Sequence, residues 1–391
     1  MKLLATEQKN QVLKSMIDLL DKHRDRIIAA NQQDLDAFQR DDQALYDRLV
    51  VDQKKVDDMI RSVREVLEQD DPVGKVKSER TLDTGLRIIN RTAPFGTIMI
   101  IYESRPDVTI EAAVLAFKAN NKILLKGGKE ALHSNKILVD LWHEALKENG
   151  LEEDWITLLT LDRQATQDFL RNPDQKLDLI VPRGGERLIA FVKEHATCPV
   201  LVSGRGNNFV YIDEEVDWDK AIRVILNAKT DKISACNALD KVLISKNVKD
   251  LESRYNELIS TLRDKGVEVV IPEKGSMTDD NIWYEEFLAM KILVDFVDNV
   301  EEAIDKINTY SGGHSIAILT ENHDTASRFM EQVDSAAVYH NASTRFTDGG
   351  QMGVGAELAI STDKLHHRGP LGLEQLVTNK YYVYGDGHVR N

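Results

Sequence analysis

From residue 94 to residue 339 the chain alternates short apolar runs with stretches of helical periodicity, and no other feature restricts its fold as strongly. Apolar runs at 97–101, 122–126, 177–181, 199–202 and 209–212 are separated by helical patterns at 108–119, 130–147 and 185–195. After Asp213 the series resumes, with helical stretches at 221–228, 251–262, 300–307 and 325–333 and strand-like runs at 242–244, 267–271, 292–297, 315–319 and 336–339. Runs apolar at every position are buried on both sides, so the pattern predicts two open α/β sheets, mainly parallel and covered on both faces by helices. The run 209–212 is expected to close the first sheet. A length of 391 residues suits two or three domains.

Ahead of the alternation, Val12, Met16, Leu19, Leu20, Ile27 and Ile28 recur at helical spacing within 11–30, and 52–67 repeats the pattern. Asp70-Asp71-Pro72-Val73-Gly74 breaks it, and 78–93 reads as a hairpin turning at Asp83-Thr84-Gly85. With 42% hydrophobic and 29% charged residues this is the composition of a globular protein. A formal net charge of −15 argues against a general affinity for nucleic acid or anionic lipid. The first residues carry no apolar stretch of the kind that begins a signal peptide, and no run is long enough to span a bilayer. The expectation is therefore a cytoplasmic protein. Cys198 and Cys236 are the only cysteines and neither lies in a CxxC pair, which argues against disulfides and a structural zinc site.

Cys236 is the candidate nucleophile. It sits in Ser234-Ala235-Cys236-Asn237-Ala238, small and polar, before the apolar run Val242-Leu243-Ile244. A core cysteine would more usually lie inside such a run, and a thiolate attacks acyl and carbonyl carbon well. Cys198, before Pro199-Val200-Leu201-Val202, reads as packing. Two glycine turns, Lys126-Gly127-Gly128-Lys129 and Arg183-Gly184-Gly185-Glu186, each lead from a strand into a helix, where free N–H groups and adjacent cations can hold phosphate. Neither is a GxGxxG fingerprint, and a plain strand-to-helix turn also needs glycine. A long aperiodic region follows, comprising 341–350, 353–357 and 361–370. Its Arg345, Lys364 and Arg368 suggest an anion site, whereas the adjacent His366 and His367 make a poor metal site.

Together Tyr102-Glu103-Ser104-Arg105-Pro106-Asp107-Val108-Thr109, the two glycine turns, Ala235-Cys236-Asn237-Ala238, 341–349 and 360–372 resemble the gamma-glutamyl phosphate reductase family of the aldehyde dehydrogenase superfamily, in the family's order over nearly the whole chain. The resemblance implies an aldehyde dehydrogenase-like α/β fold with a projecting oligomerisation hairpin. Its cofactor domain would comprise 1–77, 94–212 and 348–378, its catalytic domain 213–347, and its oligomerisation elements 78–93 and 379–391. It implies NADPH-dependent reduction of L-glutamyl 5-phosphate to glutamate 5-semialdehyde, a homo-oligomer (dimer or tetramer), and room for transient association with glutamate 5-kinase. No nucleic acid, membrane or metal is implied. Cys236 falls where the family's thiol lies, and Cys236 and Asn237 become the candidate catalytic residues. Ser104, Arg105, Thr344, Arg345, Lys364 and Arg368 become candidate substrate ligands. Lys126, Gly127, Gly128, Lys129, Arg183, Gly184, Gly185 and Glu286 become candidate cofactor ligands, Glu286 resembling the superfamily glutamate on the nicotinamide ribose. Two positions depart from the pattern: Asn208-Phe209 stands where the family usually has Cys-His, and Asp240-Lys241 where it usually has Glu-Thr. A hydrolytic semialdehyde dehydrogenase and a catalytically silent binding protein on the same fold remain the alternatives.

Overall fold

The computed structural model describes residues 2–39, 43–272 and 279–390. The chain forms two compact units, Met1–Val202 with Val354–Ala359 and Leu371–Asn391, and Ser203–Gly353 with Ile360–Pro370.

The first unit is built on a four-stranded parallel sheet in the order Ile156–Leu158, Lys122–Lys126, Thr97–Tyr102, Leu179–Arg183. Ile98, Met99 and Ile100 of the central strand are fully buried, as a strand covered on both faces must be. On one face Pro106–Lys118 begins with proline, whose missing N–H costs nothing in a first turn, and is buried around nearly its whole circumference. The helices Thr6–Lys22 and Gln53–Glu68 lay the stripes Val12, Leu13, Met16 and Val56, Met59, Val63 into the same core. Each such side chain contributes roughly 1.5–3 kcal/mol on burial. Two expectations are corrected here. The pattern at 11–30 is two helices, Thr6–Lys22 and Arg24–Asp36, divided at His23. The run 199–202 makes only a single bridge, Ile180 to Val200, because Pro199 has no N–H to extend a ladder and offers only its carbonyl to Ile180.

A separate antiparallel sheet in this unit joins the hairpin Val76–Thr81 and Arg87–Pro94 to the strand Val377–Tyr384 from the far end of the chain. Gly85 turns the hairpin at φ +88°, a conformation glycine adopts without steric cost.

The second unit holds a six-stranded parallel sheet in the order Ala337–His340, Ser315–Leu319, Asn208–Ile212, Leu239–Ser245, Lys291–Val297, Glu268–Val270. The run 209–212 therefore does not close the first sheet. It lies inside the second, paired on both sides and wholly buried, because the chain passes from one unit to the other at Ser203, ahead of this strand. Trp218–Thr230 and Leu251–Asp264 cover one face, and Val300–Tyr310 and His323–Gln332 the other. No helix among the described residues is long and apolar enough to cross a membrane.

Candidate active site

The helix Trp218–Thr230 ends six residues before Cys236, and Leu239–Ser245 begins three residues after it. Between them the backbone makes two tight turns, Ala235 N–H to the Lys232 carbonyl at 3.1 Å and Ala238 N–H to the Ala235 carbonyl at 2.9 Å. Cys236 rides on the second, partly buried. Asn208, buried at the start of the adjacent strand, fixes this turn from both sides: its Nδ2 donates to the carbonyls of Cys236 at 2.8 Å and Ala238 at 2.6 Å, while its Oδ1 accepts the Ser315 N–H at 3.0 Å. Asn208 is thus a site residue the sequence did not reveal. The available signal was an asparagine opening a buried strand, since a buried amide needs partners.

Asn237 does not serve the thiol through its side chain. Its Nδ2 donates to the carbonyls of Arg345 at 3.2 Å and Thr347 at 2.8 Å, so both amide hydrogens are engaged in holding the 344–347 turn. The buried Thr344 hydroxyl returns a bond to the Asn237 carbonyl at 2.7 Å and is equally committed. The backbone N–H of Asn237, by contrast, makes no hydrogen bond among the described residues.

Gly206 explains why the preceding segment is glycine-rich. A Cβ there would overlap the Cys236 carbonyl oxygen and the Glu286 carboxylate, and the Gly206 N–H donates to Glu286 Oε1 at 3.0 Å. Glu286 is thereby brought to the nucleophile turn. Asn207, at φ +32°, ties the same segment to the carbonyls of Trp283 and Tyr310.

The three cations expected to form one anion site divide instead. Arg345 Nε pairs with Asp231 at 3.1 Å, whereas Lys364 and Arg368 share Asp334 at 2.7 and 2.5 Å and hold its carboxyl below the usual range. The two halves of the departure at 240–241 also acquire partners. Asp240 pairs with the buried Lys229 at 3.3 Å, and Lys241 Nζ donates to the Glu285 carbonyl at 2.7 Å.

In the first unit Ser104 is not open to a ligand: it is buried, and its hydroxyl donates to Glu130 at 2.6 Å. Arg105, half-buried at the start of Pro106–Lys118, has no ion-pair or hydrogen-bond partner for its guanidinium among the described residues, and burial and then Arg183 push its pKa down. The first glycine turn is corrected in its mechanism. The N-terminus of Leu132–Glu148 is already partly occupied by buried Asp34, which accepts the His133 and Ser134 N–H groups at 3.0 and 2.8 Å and takes those two donors from any phosphate. Lys126 Nζ donates to the Gly127 carbonyl at 2.9 Å, Lys129 is exposed, and Glu130 folds over Gly128. The second turn is open at Gly185, where an added Cβ would meet nothing, and Glu186–His195 begins without a side-chain cap. The exposed Glu103 reaches it, accepting the Gly185 N–H at 3.2 Å, with Gly184 close-packed against the same carboxylate and Leu188.

The sequence model of the aldehyde dehydrogenase family matches residues 1–266 and 274–357. This chain belongs to the aldehyde dehydrogenase family. Among family members, gamma-glutamyl phosphate reductase 2 of Bacillus licheniformis is 44% identical over 398 residues, covering 99% of this chain and 93% of the relative. The crystal structure of gamma-glutamyl phosphate reductase from Thermotoga maritima superposes with a TM-score of 0.93 at 42% identity, covering 99% of this chain and 95% of that one. An acetylating aldehyde dehydrogenase of Geobacillus thermoglucosidasius shares the fold at 17% identity, with a TM-score of 0.68, 99% of this chain and 93% of that chain covered. Within the aldehyde dehydrogenase family the chain groups with the gamma-glutamyl phosphate reductases, and it is an oxidoreductase.

Proposed function

We propose that this enzyme reduces L-glutamyl 5-phosphate to L-glutamate 5-semialdehyde and phosphate with NADPH, a step toward proline, through a thioester on Cys236. The observation that carries the reading is the nucleophile turn, a thiol whose backbone is fixed on both sides by Asn208 and followed by an Asn237 N–H that makes no hydrogen bond among the described residues. Fixed geometry of this kind lets a nucleophile and an oxyanion donor act without reorganising.

The Cys236 thiolate attacks the acyl carbon, a C–S bond forms, the C–O bond to phosphate breaks, and inorganic phosphate leaves with the electron pair. In this reading the Asn237 N–H stabilises the oxyanion of that step and of the next. NADPH, when bound, supplies the hydride that reduces the thioester to the aldehyde and frees the thiolate. The residues fit such a cofactor: Gly185 leaves room at an uncapped helix N-terminus beside Arg183, and Glu286 lies against the turn that bears the thiol. Arg105 supports recognition of an anionic substrate, because a half-buried guanidinium with no ion pair among the described residues favours a ligand that brings a carboxylate or a phosphate.

The test is a pair of cysteine variants. Cys236→Ala is expected to abolish reduction while retaining NADPH binding measured by fluorescence. Cys198→Ala is expected to keep the parent rate, since burial pushes the Cys198 thiol up and the residue packs on the small cluster around Ile180. Turnover by Cys236→Ala at a tenth of the parent rate or more would overturn the assignment.

A further inference from the structure

Lys241 is fully buried, in a strand otherwise built of Val242, Leu243 and Ile244, and a buried ammonium is retained only where specific partners compensate its lost hydration. Its direct hydrogen-bond and ring contacts among the described residues lie on one tripeptide, Glu285–Phe287. Nζ donates to the Glu285 carbonyl at 2.7 Å and stands 3.7 Å from the centroid of the Phe287 ring. The neighbouring Asp240 carboxylate lies close enough to the Phe287 backbone to be stabilised by it and is itself paired with Lys229 at 3.3 Å. The two consecutive residues thus bear on both neighbours of Glu286, Lys241 on the Glu285 carbonyl and the Phe287 ring and Asp240 on the Phe287 backbone. Glu286 in turn accepts the Gly206 N–H at 3.0 Å, and Gly206 is pressed against the Cys236 carbonyl too closely for any side chain. Leu288, at φ +47°, turns the chain back into its strand immediately beyond the grip.

We propose that Asp240 and Lys241 form a clamp that sets Glu286 against the nucleophile turn, with Lys241 a positioning residue for both the cofactor and the Cys236 thiol. The inference rests on the reading of Glu286 as a cofactor ligand for its kinetic consequence, but its structural consequence at Cys236 is independent of that reading. The charged groups facing the ammonium are Asp240, Lys229, Glu285 and Glu286, and Lys291 approaches the same ring at 5.3 Å. Burial lowers the Lys241 pKa to about 8. Above that pH the neutral amine keeps a donor for the Glu285 carbonyl but loses its attraction to the ring, so the clamp weakens without opening fully.

The experiment uses the full chain in a Cys198→Ala background, leaving one thiol, with Lys241→Met, which keeps the length and removes the donor, and Lys241→Arg, which retains it. Without cofactor or substrate, the rate of Cys236 alkylation by iodoacetamide is expected to change at least threefold in Lys241→Met and to return toward the parent in Lys241→Arg. In turnover, Lys241→Met is expected to raise the KM for NADPH about tenfold while kcat falls less than threefold, and to lose the parent's change in NADPH affinity between pH 7 and 9. Parent-like alkylation and parent-like KM in a folded Lys241→Met protein would overturn the clamp. Should Lys241→Met not fold, Lys241→Thr, which restores the residue usual in the family, carries the same measurements and the same two outcomes. Absence of reductase activity in the parent would count against the proposed function alone, because the alkylation arm still decides the clamp.

Discussion

Lys241 also makes a thermodynamic statement that separates it from an ordinary strand residue. Its pKa, ordinarily 10.5, is lowered to about 8, chiefly by burial. Below pH 8 the lysine is protonated in both states, and the folded protein bears the full cost of the buried ammonium. Between about pH 8 and 10.5 the unfolded chain binds a proton that the folded chain has released, so this residue's contribution to stability rises with pH. Against Lys241→Met, the parent should gain up to about 3 kcal/mol across that window. Urea midpoints for both proteins at pH 7 and pH 10 measure it, and a difference unchanged with pH would refute the shift. At this scale the sequence was legible where the chemistry was unusual and illegible where it was a matter of partners. Cys236 stood out because a thiol among small polar residues has few structural reasons to be there. Asn208 did not, because the carbonyls it grips lie 28 and 30 residues away and carbonyls carry no sequence signature. Asn237 was expected in catalysis and Thr344 and Ser104 as substrate ligands from the resemblance to the family, yet their side-chain donors serve the scaffold.

The three-stranded antiparallel sheet is the element whose surface asks for a partner. Every residue of Val76–Thr81 is exposed, and Tyr381, Val383 and Tyr384 on the other edge strand are 59, 56 and 50% exposed. An apolar strand with a free edge is a pairing hazard unless something covers it. A second copy of the chain is the occupant this argues for, so the parent should be a homo-oligomer at micromolar concentration and Tyr381→Glu with Val383→Glu should shift it toward monomer. Light scattering coupled to gel filtration checks both, and a monomeric parent would sink the idea. Such elements were legible to different depths. The hairpin was readable from its own turn, and the parallel sheets from their apolar runs. The strand Ile156–Leu158 was not, since three residues are too few to show a period, and neither was the cap on Leu132–Glu148, because Asp34 comes from a helix about a hundred residues earlier.

For the molecule as a whole, the question left by the fold is what accepts the acyl group when the reaction runs toward oxidation. A hydrolytic aldehyde dehydrogenase must activate water, and the stretch Val202-Ser203-Gly204-Arg205-Gly206-Asn207, where a base would be needed, contains no carboxylate of its own. The structure brings one there from elsewhere, since Glu286 accepts the Gly206 N–H at 3.0 Å, but that contact commits the carboxylate to holding the turn. Phosphate needs no such activation. It is already ionised at neutral pH, and as the leaving group of the proposed forward reaction it must be able to return along the same path. Glutamate semialdehyde supplied with NADP should therefore give little steady NADPH formation alone and clear turnover once phosphate or arsenate is added, a stimulation of at least tenfold. Replacing Glu286 by glutamine should leave that dependence in place, because the carboxylate is not the base. Equal rates with and without the oxyanion, with free glutamate as the product, would decide for hydrolysis, and loss of those rates in Glu286→Gln would then identify Glu286 as the group that activates water.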